Sequence, residues 1–160
     1  MMPEWLPEFC ATNGEWEEVV SALYEVFQRD IVTNPPRVDG CPVWFQRRIN
    51  DGYEEAFWHL ITRDDVATGD RLFDPPRAER LSWCGPVLRH SNDPSITRWR
   101  FRESKRQIRL YLWLELWDYV VVLEERQIRS GRIYFLITGY HLDGEGRRRS
   151  LRRKYEKREP

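Results

Sequence analysis

Cysteine and lysine are scarce in this chain, which narrows the kinds of site it can contain. Its 160 residues include three cysteines, Cys10, Cys41 and Cys84, which are far apart and form no C-x-x-C pair. An odd number of scattered cysteines favours reduced thiols and provides neither a disulfide framework nor the ligand spacing of a zinc site. We therefore expect no metal and no other cofactor.

Long apolar runs are also missing from the sequence. No uncharged stretch is long enough to form a transmembrane helix, and the first residues, MMPEWLPEFC, lack the basic flank and apolar stretch of a signal peptide. We therefore expect a cytoplasmic protein without a membrane partner. A hydrophobic content of 41% with 14% aromatic residues is too high for a disordered chain, and the length suits one domain over residues 1–160.

Charge is balanced overall but unevenly distributed. Residues 1–60 carry eleven acids against four bases, whereas residues 144–160 carry eight bases against three acids. Arginine makes up 23 of the 26 basic residues, and its planar guanidinium suits phosphate or carboxylate groups, although genomic base composition explains the same bias. The basic tail at 144–160 is interpreted either as a segment that follows a nucleic-acid backbone or as a solvated or frayed terminus.

Residue spacing predicts helices in the first half of the chain. Residues 14–29 follow Asn13, a residue of N-cap type, and place five large apolar side chains on one helical face: Trp16, Val19, Val20, Leu23 and Phe27. A second, short helix is expected to begin after Asp74, at Pro75-Pro76. The pair Gly85-Pro86 is expected to kink or end it.

The remaining segments predict strands. PVWFQRRI, the turn NDG and then YEEAFWHLITR predict a β-hairpin. TRWRFR, IRLYLWLEL, YVVVLEE and RIYFLITGYHL predict an antiparallel meander in the C-terminal half. This order predicts an α+β fold in which N-terminal helices pack on one side of an antiparallel sheet, with residues 43–143 as its core.

The triplet Leu-Ile-Thr occurs twice, in AFWHLITRDD at 56–65 and in YFLITGYHLD at 134–143. If both runs are strands, alternation places His59 with Arg63 on one face, and Thr138 with Tyr140 on one face of the other run. Each run is apolar at its start and polar at its end, as a site at the rim of a core requires. We therefore expect the two runs to bring their polar side chains together.

Each of these residues also has an ordinary structural explanation. A single histidine in an apolar run is more often a satisfied part of a core than a catalyst, and β propensity alone explains Thr138 and Tyr140. Arg77 and Arg80, at the start of a helix, can pair with neighbouring acids. Two further residues next to loops are interpreted as ordinary surface histidines: His90 and His141.

The order of motifs resembles a known superfamily. The chain carries FWHLITR, DPPRAERLSW, WDYVVVLEE and YFLITGYHLD in succession, followed by a basic tail. This order, over roughly residues 43–155, is similar to that of the barnase/EndoU/colicin/RelE-like superfamily of small metal-independent ribonucleases, especially its phage-associated branches. The resemblance implies a catalytic set, and it implies toxin-like action restrained by a protein inhibitor. That set is His59, Arg77 or Arg80, Thr138 and Tyr140.

Metal-independent cleavage of RNA requires a proton to leave the ribose 2′-OH, charge to be stabilised on the phosphate, and the departing 5′-oxygen to be protonated. His59 could act as base or acid, because imidazole titrates near neutral pH. Arg77 and Arg80 could clamp phosphate oxygens, and Thr138 or Tyr140 could donate hydrogen bonds to them. The other expected contacts with RNA are Arg63, Trp83, Arg98, Arg100 and Arg102.

Composition keeps other functions open. An acidic first third and a net charge of zero are unfavourable for a protein that grips RNA alone. One alternative is a non-catalytic binding or regulatory module on the same fold, acting on a partner protein through its acidic helix and basic tail. Another is an enzyme acting on a small nucleotide. For the ribonuclease that the resemblance implies, the expected partners are RNA and an inhibitor or antitoxin protein.

Overall fold

A computed structural model describes residues 2–160 of the chain. The α-helices are α1 Trp16–Phe27, α2 Glu55–Ile61, α3 Pro75–Glu79, α4 Leu81–Arg89 and α5 Glu145–Glu156. The strands are β1 Arg37–Val38, β2 Cys41–Phe45, β3 Ile49–Asn50, β4 Tyr53–Glu54, β5 Thr62–Asp64, β6 Arg71–Phe73, β7 Ile96–Ser104, β8 Gln107–Leu114, β9 Tyr119–Ile128 and β10 Gly131–His141. A π-helical segment, Gln28–Thr33, continues α1, and a 3-10 turn, Glu115–Trp117, separates β8 from β9.

Six strands form one sheet in the order β1-β2-β10-β9-β8-β7. Strands β7 to β10 are the predicted antiparallel meander, whereas β2 adds to it in parallel, with Val43 opposite Tyr134. The sheet is curled, so that its two edge strands, β1 and β7, approach each other. Arg98 on β7 lies 2.6 Å from Asp39, which follows β1. The predicted α+β class is confirmed.

The inner face of the curled sheet packs against the N-terminal helices. Buried side chains such as Leu23 of α1, Leu60 of α2 and Leu88 of α4 share one core with Leu112 and Val121 of the sheet. Of the five apolar residues predicted for the core face of the first helix, Val19, Val20, Leu23 and Phe27 are buried, whereas Trp16 is 49% exposed. The helix itself begins at Trp16 instead of residue 14, because Gly14 has a φ of 120° and Glu15 takes the N-cap position.

The outer face of the sheet is covered by α5. Its buried Leu151 packs with Trp99, Trp113 and Val122, while the basic residues of this helix point to solvent or to neighbouring acids. The basic tail is thus an ordered amphipathic helix, and its interpretation as a frayed terminus is wrong. Leu151 is the buried residue of this helix, and it packs on a broad aromatic surface of the sheet that includes Trp99 and Trp113.

The predicted first hairpin is wrong in its second half. Residues 53–63 contain helix α2, and only the two-residue strands β3 and β4 pair across the predicted Asp51-Gly52 turn. Of the run 56–61, every residue except His59 is buried. An apolar run without alternation cannot distinguish a buried strand from a buried helix, and the face alternation expected for His59 and Arg63 does not exist.

The second predicted helix begins where expected, but it is two helices, α3 and α4, and the second of them extends beyond the predicted end. Asp74 caps α3 by accepting a hydrogen bond from the Arg77 amide at 3.1 Å, with Pro75 and Pro76 in the first turn. The break falls at Arg80, and α4 then runs through Gly85-Pro86 to Arg89, so the predicted stop there is wrong. Gly85 serves packing instead, because a Cβ there would lie 2.8 Å from Asp30 Cβ.

Among the described residues, 2–160, none of the helices combines the length and apolarity needed to cross a membrane.

Candidate functional site

A cleft of about 910 Å³ opens where β2 ends and β10 continues. Strand β10 pairs with β2 only as far as Leu136, and beyond that point α2 and α3 pack against it. The walls of the cleft come from α2, β5 and the start of α3 on one side, and from β10 and the start of α5 on the other. Its imidazole, guanidinium and hydroxyl groups include those of His59, Arg63, Arg77, Thr138, His141 and Arg147.

His59 stands at the solvent-facing side of α2. Its side chain is 49% exposed, while its neighbours in the helix are buried, so the imidazole faces the cleft instead of the core. Nε2 lies 3.8 Å from Glu55 Oε2, one helical turn earlier. Partial burial lowers the pKa of His59, and the nearby Glu55 carboxylate opposes that shift. The ring is therefore neutral at pH 7 and able to accept a proton.

Glu55 is a fixed anion behind His59. Its Oε2 accepts a hydrogen bond from Arg71 Nη2 and its Oε1 one from Asn50 Nδ2, both at 2.8 Å. The bond from Arg71 is the main reason that the pKa of Glu55 lies below its ordinary value, although burial of the carboxyl opposes it. The carboxylate stays ionised at neutral pH and can stabilise a proton taken up by the imidazole.

Arg77 and Thr138 meet at the backbone of His59. Thr138 Oγ1 donates to the His59 carbonyl oxygen at 2.9 Å, and Arg77 Nη1 donates to the same oxygen at 3.0 Å. Arg77 Nε is buried without a hydrogen-bond partner in residues 2–160, since Asp74 Oδ2 is 3.8 Å away. Arg77 Nε is thus a buried donor that the fold leaves unpaired within these residues, and the rest of the guanidinium lines the cleft.

Tyr140 lies next to the cleft rather than in it. Its ring centroid is 5.7 Å from the guanidinium carbon of Arg77, and it lines a second pocket between β10 and α5. Burial raises the pKa of Tyr140 to about 12, so its phenol is protonated and able to donate a hydrogen bond. The structure thus brings together four residues of the predicted catalytic set: His59, Arg77, Thr138 and Tyr140.

Arg80 is held away from these four residues. Its Nη1 donates to the Pro76 carbonyl at 2.7 Å and pairs with Glu79 at 2.9 Å, and its guanidinium packs on the rings of Phe9 and Trp83. The helix break at Arg80 and the cover provided by Phe9 explain this placement. The expected Arg77–Arg80 clamp on one phosphate is not what the structure shows.

Two other predicted substrate contacts have opposite outcomes. Trp83 is 2% exposed and donates from Nε1 to the Pro7 carbonyl at 2.9 Å, so its ring cannot stack on a base. The prediction for Trp83 is wrong, because residues 7–9 cover it. Arg63 does line the cleft, on β5, with a side chain that is 53% exposed and 3.9 Å from Asp74.

The arginines of β7 share a strand face as predicted, but acids neutralise them. Arg98 pairs with Asp39 at 2.6 Å, Arg100 with Glu125 at 2.8 Å and Arg102 with Glu159 at 2.7 Å. None of the three lines the cleft. The structure therefore does not place them as a basic patch beside His59.

Three charged or titratable residues of the cleft that the proposed chemistry uses were not among the predicted site residues. His141, interpreted as an ordinary surface histidine, lies in the cleft wall, where burial and then the charge of Arg80 lower its pKa. Arg147 lines the cleft from α5 and forms no ion pair within residues 2–160. Glu55 could have been found only from its four-residue spacing to His59, a signal that has meaning in a helix and not in a strand.

The cleft also contains acids, so its charge is mixed. Asp64, Asp74 and Asp143 line it together with Glu55. Over residues 2–160, however, no group of three or more His, Cys, Asp or Glu side chains is arranged to hold a metal ion. The side chains that the cleft offers for chemistry are imidazoles, guanidinium groups, carboxylates and hydroxyl groups.

Comparison of the chain with protein-family models, with curated proteins and with solved structures gives no significant match in any of the three.

Proposed function

We propose that the protein is a metal-independent endoribonuclease that cleaves RNA in the cleft. The observation that carries this proposal is that two imidazoles, His59 and His141, line one cleft together with the guanidinium of Arg77. A base, an acid and a stabiliser of phosphate charge are the three groups that transesterification of RNA needs. The motif order that resembles the ribonuclease superfamily agrees with the same reaction.

The proposed reaction uses each group once. One imidazole removes the proton of the ribose 2′-OH, and the 2′-oxygen forms a bond to the adjacent phosphorus. The bond between phosphorus and the 5′-oxygen breaks, and the second imidazole protonates that oxygen. The products are a 2′,3′-cyclic phosphate and a 5′-hydroxyl. Arg77 donates to the non-bridging oxygens as their charge grows.

We assign the base role to His59. Its imidazole is neutral at pH 7, and Glu55 Oε2, which Arg71 fixes in place, lies 3.8 Å from Nε2. A carboxylate at that position stabilises the imidazolium that forms when the ring takes up a proton. His141, which lines the same cleft from β10, is then the acid.

The decisive experiment is incubation of the purified protein with single-stranded RNA in the presence of a chelator. We expect cleavage with 2′,3′-cyclic phosphate ends, and a loss of about 100- to 10,000-fold in the rate for His59→Gln. His90→Gln is the matched control, because His90 stacks on Trp5 with ring centroids 4.4 Å apart and does not line the cleft. Intact RNA with the wild-type protein, or equal losses in both variants, would overturn the proposal and favour a binding module.

A toxin-like role, with an inhibitor protein as partner, is part of the proposal and is supported by the motif order alone. We expect expression of the wild-type chain to inhibit bacterial growth and His59→Gln to relieve that inhibition. Growth inhibition that His59→Gln leaves unchanged would argue against a nuclease toxin.

A further inference from the structure

The second pocket, which we call the α5 pocket, lies between β10 and α5 and has a volume of about 450 Å³. Six residues line it alone and not the cleft: Tyr140, Leu142, Gly146, Ser150, Leu151 and Lys154. We infer that the α5 pocket is a nucleotide subsite, which holds the nucleotide next to the cleaved phosphate of a single-stranded RNA. This inference rests on the proposed function of the cleft, and it gives that cleft a substrate of at least two nucleotides.

Continuity between the two cavities is the first argument. Arg77, Thr138 and Arg147 line both the cleft and the α5 pocket. The two cavities are therefore adjacent, and a chain that places a phosphate at Arg77 has the α5 pocket as the neighbouring cavity. A mononucleotide would fill only one of the two cavities.

The lining of the α5 pocket suits a nucleobase attached to a phosphate. Leu142 and Leu151, which are 3% and 4% exposed, form an apolar floor, and the ring of Tyr140 adds a flat surface. Ser150 offers a hydroxyl group at the rim. Sites for single-stranded nucleic acid combine such apolar or aromatic surfaces for bases with cations for the backbone, and the volume falls within the range of about 300–1,000 Å³ typical of small-molecule pockets.

Arg147 is the cation available for the backbone phosphate. Lys154 is already engaged, because its Nζ lies 2.9 Å from both Glu103 Oε1 and Tyr111 Oη. Arg148 is paired with Asp118 and Glu145. Arg147 is exposed and has no ion pair among residues 2–160, so binding a phosphate does not require it to give up an acid partner.

The inference also accounts for the uneven charge of the chain. The acidic α1 packs on the inner face of the sheet, whereas the basic α5 lies on the outer face and reaches the cleft through Arg147. In the part of the chain that the structure describes, the unpaired positive charge of α5 that borders the α5 pocket is therefore that of Arg147.

Gly146→Trp offers a test, since it places a large side chain at a residue that lines the pocket and whose Cβ has room. A Cβ at Gly146 meets no atom within 4 Å, and replacing a helical glycine improves helix propensity. The probe is a fluorescein-labelled tetranucleotide with 2′-O-methyl riboses, which lacks the attacking hydroxyl and so reports binding by anisotropy without cleavage. We expect Gly146→Trp to raise the Kd at least about tenfold, the loss of one stacked base.

Two arginine variants provide a matched pair. Arg147→Gln and Arg149→Gln remove the same charge from the same exposed helix, but only Arg147 lines the two cavities. We expect Arg147→Gln to lower the slope of log Kd against log salt concentration by about 0.7, the value for one phosphate contact on a single strand. Arg149→Gln is expected to leave that slope and the Kd within about twofold of wild type.

Failure of the inference and failure of the proposed function give different results. If the wild type cleaves RNA but Gly146→Trp and Arg147→Gln bind the probe as the wild type does, the α5 pocket is not a subsite and the cleft proposal stands. If His59→Gln cleaves RNA normally while Gly146→Trp loses binding, the subsite stands and the assigned chemistry falls. A wild type that does not bind the probe overturns the inference, whatever its cleavage activity.

Discussion

The arginines at the cleft and the arginines of β7 are the same kind of residue in two electrostatic situations. On β7, Arg98, Arg100 and Arg102 each lie within 2.8 Å of an acid. At the cleft, Arg77 Nε is 3.8 Å from its nearest carboxylate, and Arg147 has no ion pair within residues 2–160. The arginines of β7, which have the more regular pattern in the sequence, are thus less available to an anion than Arg147 at the cleft. For the phosphate site that we propose at the cleft, the ion-pairing state of the arginines therefore matters more than their number.

The largest expected effect is that of Arg77→Gln, for which Arg102→Gln is the matched control. Both variants remove one positive charge, but only Arg77 lies at the cleft. We expect Arg77→Gln to lower the single-turnover rate of RNA cleavage by about 100- to 1,000-fold, as removal of one donor to a transition-state oxyanion does. Arg102→Gln should cleave like the wild type. Equal losses in the two variants would mean that total charge, and not position, governs the activity.

The pH dependence of cleavage sharpens the same comparison. Burial lowers the pKa of both His59 and His141 below the ordinary value of 6.5. Since catalysis needs one imidazole protonated and the other neutral, kcat/KM should be highest below pH 6.5 and fall about tenfold per pH unit above the optimum.

The two arginine variants should separate in this profile. The positive charge of Arg77 is one of the contributions that lower the pKa of His59, so the residual activity of Arg77→Gln should have its optimum at higher pH. Arg102→Gln should keep the wild-type profile. An optimum above pH 7.5 for the wild type would contradict the assignment of the two histidines.

The smallest expected effect is a change in stability without a change in activity. Arg100→Gln removes the nearest partner of Glu125, whose side chain is 9% exposed, but Arg132 remains 3.6 Å away. Because Arg100 is itself 38% exposed and screened by solvent, we expect a loss of only about 1 kcal/mol in the free energy of unfolding. The midpoint of urea unfolding measures this loss, and an accompanying fall in RNA cleavage would show that β7 contributes to the site.

Local patterns predicted the outer framework of the molecule well. Alternation identified the meander of β7 to β10, helical spacing identified α1, and the Asp74-Pro75-Pro76 sequence identified the start of α3. These signals depend on neighbours within one element. Helix α2 could not be assigned this way, because its buried run has apolar residues on every side and tertiary contacts alone choose its conformation.

The site was predicted in part, and the geometry that joins its residues differs from the predicted one. His59 and Thr138 do meet, but through the His59 carbonyl oxygen at the end of a helix and not through two strand faces. Arg80 and Trp83 were misplaced because Phe9 and its neighbours, a segment without periodic pattern, cover them. His141 and Arg147 carry no local signal; only the course of β10 and the docking of α5 bring them to the cleft.

A single backbone oxygen, that of His59, ties together three separate parts of the molecule. Thr138 of β10 and Arg77 of α3 both donate to it, so the last turn of α2 cannot move independently of either. A ligand that draws the Arg77 side chain toward a phosphate would pull on the same residue that carries the imidazole. Phosphate binding by Arg77 and positioning of the His59 imidazole would then be coupled through the His59 peptide unit.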